Sequence, residues 1–387
     1  LFSAAILGQM RRRPVHKAKR LVFSLITVAL LLALVEVVSY ALMPRDLKTA
    51  RRILLGRSGT QVTRLLNTVS APYLLYIPAP GFTRNGIQQH NEDGYRGPQV
   101  PLDRQSNTLR VVCLGGSTTY DWCVEDPLET YPAVLGRLLK TKLGDRYSDV
   151  EMINGGIPFG TSAELLTHYH FKYRYYRPDV VVIDTGGNDA EGYLRPYYHP
   201  DYSNWRKGMV NLRPLRPATR WLLYSYLWST LFLNTFYYDQ LRAEAFVDYS
   251  NTPPPAPWYR RNGQLLTGSS VPPEDDAFTH NTETLIKILL DDRVKVLLVP
   301  FRAAPNGYRG RGEELGLVLH NEEILKSLAA KHPVGFAPFP ASVISKGRWV
   351  DHCHTDVIGS REKAEHLVPY LLELLRTEPP IAGTDRD

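Results

Sequence analysis

Residues 109–118 read LRVVCLGGST, an apolar run of strand-forming residues that stops at two glycines and a serine. A run of this kind suits a strand covered on both faces, as in a parallel sheet. The same design recurs further along. Val150 to Ile153 is a second strand leading into NGGIPFG (154–160), and Asp179 to Thr185 is a third, nearly all apolar, leading into GGND (186–189). Val294 to Phe301 and Val334 to Phe339 are the fourth and fifth, with DHCH (351–354) after the last. Between the strands, apolar residues return at helical spacing: Val134, Leu135, Leu138 and Leu139, then Glu313 to Lys331 and Gly359 to Arg376. Thr161 and Glu164 form a T-x-x-E capping box that opens the helix after NGGIPFG. This alternation predicts a doubly wound, three-layer α/β/α fold around a five-stranded, mainly parallel sheet.

In open sheets of this type ligands bind outside the carboxyl ends of the strands, and all four motifs leave that edge. Ser117 supplies a hydroxyl nucleophile, the glycine turns and Asn188 supply donors for an oxyanion, and Asp351 with His354 supplies a carboxylate and an imidazole. Each motif alone is ordinary turn or surface chemistry; their shared order after successive strands is the informative feature. His352 is a competing base, but it is adjacent to Asp351, whereas His354 has the D-x-x-H spacing. His280, His320 and His366 have no nearby motif and read as surface or structural residues. GGST lacks the Lys-Ser/Thr ending of a phosphate-binding loop.

From Asn91 to Leu375 the pattern resembles the SGNH hydrolases, also called GDSL-type lipases and acylhydrolases. The resemblance implies a flavodoxin-like fold with Ser117 as nucleophile, His354 as base, Asp351 as its orienting carboxylate and Asn188 as an oxyanion donor, and no metal or cofactor. The Asp of the family's GDS is Gly116 here, a position outside the triad. In the second block, counting five from Asn154 reaches Phe159 and Gly160 is one further; either N–H could donate, and Gly160 is preferred. HNEDGYRGP (90–98) resembles a segment upstream of the nucleophile in membrane-anchored bacterial members, and otherwise reads as an Asp-Gly turn. The implied activity is ester cleavage on acyl, including acetyl, groups of a carbohydrate or cell-envelope glycan outside the cytoplasm. An O-acyltransferase modifying an exported polysaccharide shares the same residues and first half-reaction. A catalytically silent glycan-binding module is the reading from another class, and the intact Ser, Asn, Asp and His set counts against it.

The chain has 387 residues, 43% hydrophobic and 22% charged, as expected for a globular protein rather than a disordered one. Its net charge of +7 is modest. Arg11, Arg12, Arg13, Lys17, Lys19 and Arg20 lie directly before an apolar run, a placement that fits a membrane flank better than nucleic-acid binding. That run, Leu21 to Met43, has 23 residues and one charge, Glu36, enough to cross a bilayer. A retained anchor is the preferred reading; Ser39-Tyr40-Ala41 also resembles a cleavage site, so a removed signal peptide is the rival. The dense block before Leu21 favours a cytoplasmic N-terminus, although Arg45, Lys48, Arg51, Arg52 and Arg57 follow the span. The chain begins at Leu1, and Met10 opens onto the basic block; a start at Met10 and a non-standard start codon both fit.

The expected organisation is a basic segment (1–20), an anchor (21–43), a stalk and lead-in (44–101), a catalytic domain (102–378) with an insertion at about 193–278, and a tail (379–387). Within the insertion, Trp221 to Tyr238 reads as helical and rich in aromatics. Burial against the sheet is the expectation, with a lid, acyl pocket or membrane-facing helix as the functional alternative. Pro253 to Pro255 and the stretch to Pro273 read as an exposed loop. Three cysteines exclude a disulfide-dense scaffold and a CxxC zinc site. Cys113 reads as a buried hydrophobe; Cys123 and Cys353 should fall near one site, either bridged or unpaired.

Overall fold

A computed structural model describes residues 2–43, 48, 51, 55, 68–195, 198–204, 221–232, 276–308 and 312–376. The stalk's 56–67, most of the insertion with its proline run, and the tail fall outside the described residues. The chain divides into two units, one of residues 1–62 and 212–242 and one of residues 63–211 and 243–387.

In chain order, helix α1 (Phe2–Leu42) is followed by two small antiparallel pairs, β1 (Thr68–Ala71) with β2 (Leu75–Pro78) and β3 (Thr83–Arg84) with β4 (Ile87–Gln88). Then come β5 (Thr108–Gly115), the short α2 (Ser117–Tyr120), α3 (Tyr131–Leu143), β6 (Asp149–Gly156), α4 (Ser162–Phe171), β7 (Val180–Thr185) and α5 (Gly187–Leu194). The chain continues through α6 (Tyr226–Phe232), α7 (Ala277–Asp291), β8 (Lys295–Pro300), α8 (Gly312–Lys331), β9 (Gly335–Phe336) and α9 (Val357–Arg376).

The larger unit holds a five-stranded sheet in the order β6-β5-β7-β8-β9, parallel at every junction. Counting its strands along the chain, this is the 2-1-3-4-5 order of doubly wound flavodoxin-like sheets. Strand alternation explains both layers. On β5, Val112 and Leu114 enter a core with Leu165 and Tyr169 of α4, Phe278 and Leu285 of α7, and Leu325 of α8. Leu109, Val111 and Cys113 enter the opposite core with Leu135 and Leu139 of α3 and Leu367 and Leu371 of α9. Both faces of the strand are therefore buried, which is why its sequence is a continuous apolar run rather than an alternating one.

The strands fall within about three residues of their expected positions except the last, where only Gly335–Phe336 pair, beside Leu297 and Leu298. The capping box is present: the Thr161 N–H donates to Glu164 Oε2 at 2.7 Å, and the Thr161 side chain accepts from the third helical N–H. The aromatic segment 221–232 departs from expectation. It belongs to the smaller unit with α1 rather than to the unit containing the sheet, and it leaves Trp221, Tyr224 and Trp228 exposed. Residues 233–238 of the expected helix lie outside the described residues.

Two buried histidines fasten the lead-in segment. His90 Nδ1–H donates to the Ala79 carbonyl at 2.9 Å, so its Nε2 is the acceptor for the Tyr120 hydroxyl at 2.8 Å. His168, on α4, donates from Nε2 to the Tyr76 carbonyl at 2.9 Å. Burial is the main reason each is pushed from its ordinary 6.5 down to about 4. Between those values the unfolded chain binds protons that the native chain refuses, so stability rises with pH across the window. Stabilisation is complete above about pH 6.5 and is lost as pH falls toward 4. The melting temperature should drop across that range, and less steeply in His168→Gln, whose amide keeps a donor without a titrating ring. Equal slopes in the variant and the parent would contradict this origin.

Candidate active site

Ser117 opens α2 directly after β5, which lies between β6 and β7, and the register places Gly115 beside both Gly156 of β6 and Asp184 of β7. The nucleophile turn thus sits between the ends of two neighbouring strands. Gly156 is required by that proximity, because a Cβ there would lie 2.1 Å from the backbone nitrogen of Tyr120.

The loop after β9 brings the last motif to Ser117. His354 Nε2 lies 2.8 Å from Ser117 Oγ, and His354 Nδ1 lies 2.7 Å from Asp351 Oδ2. A carboxylate only accepts, so Nδ1 carries the proton and Nε2 faces the serine as acceptor. The other carboxylate oxygen, Oδ1, accepts the N–H groups of Cys353 and His354 at 2.9 and 2.8 Å. Partial burial pushes the Asp351 carboxyl upward, but these N–H groups and the His354 ring outweigh it and hold the group below its ordinary value. His352 stands beside this chain of hydrogen bonds rather than in it: its Nδ1 is 3.8 Å from Asp351 Oδ1, and its ring meets Tyr308 and His354 edge-on with centroids 6.1 and 6.4 Å apart.

Asn188 opens toward the same place. Its Nδ2 donates to the Gly160 carbonyl at 2.8 Å, which uses one of its two hydrogens. Its neighbour Asp189 is fully buried and receives the Ser162 N–H at 3.0 Å, the Ser162 hydroxyl at 2.5 Å and the Tyr202 hydroxyl at 2.8 Å. This joins the start of α5 to the start of α4 and fixes Asn188 over the second loop. Burial raises the Asp189 carboxyl to about 6 despite those donors.

Gly160, the preferred oxyanion donor, has its N–H engaged in a turn. Its N–H donates to the Ile157 carbonyl at 3.0 Å, closing a turn with Pro158 second and Phe159 third at φ +60°. This is type II turn geometry, in which the central peptide is flipped. Here its carbonyl, that of Pro158, accepts the Tyr76 hydroxyl at 2.5 Å. In a trans peptide the N–H lies opposite the carbonyl, so the Phe159 N–H points away from Tyr76.

Ser117, Phe159, Gly160, Asn188, His352 and His354 line a cleft of about 290 Å³, with Glu191 and Glu314 also on its wall. A larger cleft of about 420 Å³ lies near Lys295 and Gly335, at the amino ends of β8 and β9 and away from this chemistry. All three cysteines are free thiols. Ligand-type atoms of Cys123, Asp351 and His354 lie within 4.8 Å of one another.

Two buried supports escaped the motif reading. Lys363 of α9 and Asp184 of β7 pair at 2.6 Å with side chains 7% and 3% exposed, and Asp184 also accepts the Thr119 hydroxyl at 3.0 Å. Arg96 donates to the carbonyls of Tyr120 and Asp121 at 2.8 and 2.6 Å and to that of Val124, taking up the carbonyls that follow α2. Burial lowers the Arg96 pKa from its ordinary value. Asp184 sat in the sequence as one carboxylate in an apolar strand, and Arg96 within the Asp-Gly turn of HNEDGYRGP; those were the available signals.

No family model matches the chain, and no curated protein matches it. Similar solved structures include a GDSL-like lipase from Bacteroides thetaiotaomicron, at 14% identity over 69% of this chain and 88% of that one, with a TM-score of 0.35. Another is the lipase/acylhydrolase from Enterococcus faecalis, at 17% identity over 71% of this chain and 100% of that one, TM-score 0.37. A third is a catalytic mutant of an acetylxylan esterase from Geobacillus stearothermophilus, at 11% identity over 68% and 94%, TM-score 0.39.

Lys363→Met would leave the Asp184 charge buried and uncompensated, a loss of about 3–5 kcal/mol for pairs of this kind. Urea unfolding should show that loss, and adding Asp184→Leu should recover much of it. A single variant as stable as the parent would show that the pair does not hold the turn.

Proposed function

We propose that this protein is a serine esterase that cleaves acyl esters through an acyl-enzyme on Ser117. The observation carrying the reading is the unbroken hydrogen-bond chain from Ser117 Oγ through His354 to Asp351 at 2.8 and 2.7 Å. A serine hydroxyl is a weak nucleophile at neutral pH; His354 takes its proton as the oxygen attacks the ester carbonyl. Asp351, held ionised by its N–H donors, fixes the ring tautomer and stabilises the imidazolium. Negative charge on the former carbonyl oxygen is met by the Ser117 N–H and the second Asn188 amide hydrogen, with the Phe159–Gly160 turn beside them on the cleft wall. The alcohol leaves with the proton from His354, and water, activated by the same ring, releases the acid.

A cleft of about 290 Å³ has room for an acyl ester, acetyl esters included. Ala18–Leu42, with 25 residues and a mean hydropathy of 2.8, is long and apolar enough to cross a membrane. With the basic block before it, this supports an exported, anchored body acting on a carbohydrate or other envelope ester. Fusions of alkaline phosphatase and green fluorescent protein to the C-terminus test the orientation: phosphatase activity without fluorescence is expected, and the reverse would overturn it.

Hydrolysis of p-nitrophenyl acetate and longer esters should fall about 10⁴-fold or more in Ser117→Ala and His354→Ala. It should remain largely intact in His352→Ala, whose ring faces Tyr308. Asn188→Ala should lose about 10²–10³ in kcat. Equal activity in the two folded histidine variants would reassign the base. Acyl transfer that depends on an added glycan would replace water by a sugar hydroxyl as the acceptor.

A further inference from the structure

Glu36 is the one charge between Leu21 and Met43, and a lone carboxylate in a bilayer is costly and marks a functional contact. The structure gives it two donors from a segment 190 residues away. Ser225 Oγ–H donates to one carboxylate oxygen, and the Tyr226 N–H donates to the other at 2.6 Å. Tyr40, four residues beyond Glu36, meets Tyr226 edge-to-face with ring centroids 5.0 Å apart. Arg51 lies over the opposite partner of that pair, 3.9 Å from the Tyr226 centroid, and donates to the carbonyls of Leu223 and Tyr224 at 2.8 and 3.0 Å.

The contact has a defined depth. Glu36 precedes the end of the apolar helix at Leu42 by about six residues, or roughly 9 Å at 1.5 Å per residue. Tyr40 is nearer still to that end, and Lys48 Nζ lies 4.6 Å from its ring. Residues 221–232 therefore meet the end of the span, where chain and headgroups change polarity. Leu223 and Ser229 are buried there, while Trp221 is 79% exposed and Tyr224, Trp228 and Leu231 are at least half exposed. Exposed Trp and Tyr beside cationic side chains are the residues that settle at a membrane interface.

We propose that α1 is retained and that residues 221–232 lie in the lipid interface beside it, joined to it through Glu36 and presenting Trp221, Tyr224 and Trp228 to the bilayer surface. This rests on the reading of α1 as a membrane-spanning anchor. Cleavage after Ala41 would remove Glu36 and Tyr40 and leave the aromatic segment without its partner.

The full chain in native membranes tests both levels. Intact mass after carbonate extraction reads the anchor: a full-length chain in the pellet is expected, and a shortened or soluble one overturns the anchor reading itself. Copper-phenanthroline oxidation of the double variant Tyr40→Cys/Tyr226→Cys reads the docking. An intramolecular cross-link absent from both single variants is expected, and a full-length, pelleted chain that forms none overturns the docking alone. In nanodiscs with brominated lipid, the parent should lose more tryptophan emission than Trp221→Phe/Trp228→Phe. Equal quenching places the segment away from lipid and overturns the interface whether or not the cysteine variant folds.

Discussion

A buried ion pair fixes where Ser117 can be. Lys363 reaches from the last helix to Asp184 near the end of the central strand β7, and Asp184 holds the Thr119 hydroxyl in the turn that carries Ser117. Such a pair offsets its own desolvation only when its remaining valences are filled. Here Asp184 Oδ2 also accepts the Thr119 hydroxyl, and the Tyr131 ring centroid lies 4.1 Å from Lys363 Nζ. Arg96 secures the other end of α2 through the carbonyls beyond it. The serine is thus held from the third strand, the last helix and the lead-in segment together, while His354 approaches from a loop oriented by Asp351 and two backbone N–H groups. For the proposed esterase, preorganisation of this kind would let the donors meet the transition state without first having to be arranged.

The sheet was legible because parallel strands buried on both faces leave continuous apolar runs, and LRVVCL, VVVIDT and KVLLVP stand out against polar helices and turns. The last strand was overextended for the same reason: Val334 to Phe339 is apolar, but only two residues find partners at the edge of the sheet. Ser117, Asn188, Asp351 and His354 were legible because each follows a strand, and a common sheet edge brings such loops together. Sequence spacing cannot show which N–H a turn consumes; in the second loop the Gly160 N–H donates to the Ile157 carbonyl, after Phe159 at positive φ. Lys363 and Arg96 were invisible as partners because their contacts span 179 and 24 residues respectively, and no local period records such distances.

The aromatic segment of the insertion shows a different limit. At helical spacing, a stripe of Trp, Tyr and Leu has the same appearance whether it is covered by protein or by lipid. What separates the two is the partner, and Glu36 supplies it: a carboxylate that looked like an interruption of the span is the acceptor for Ser225 and Tyr226.

Covalent labelling tests the central claim, that Ser117 is the activated nucleophile, most directly. The purified chain is treated with a fluorophosphonate, and the adduct is located by intact mass and peptide mapping. One adduct per chain on Ser117, slowed by several powers of ten in His354→Ala and unaffected in His352→Ala, is the predicted result. Labelling at another residue, or at Ser117 with the same rate when His354 is replaced, would contradict the account.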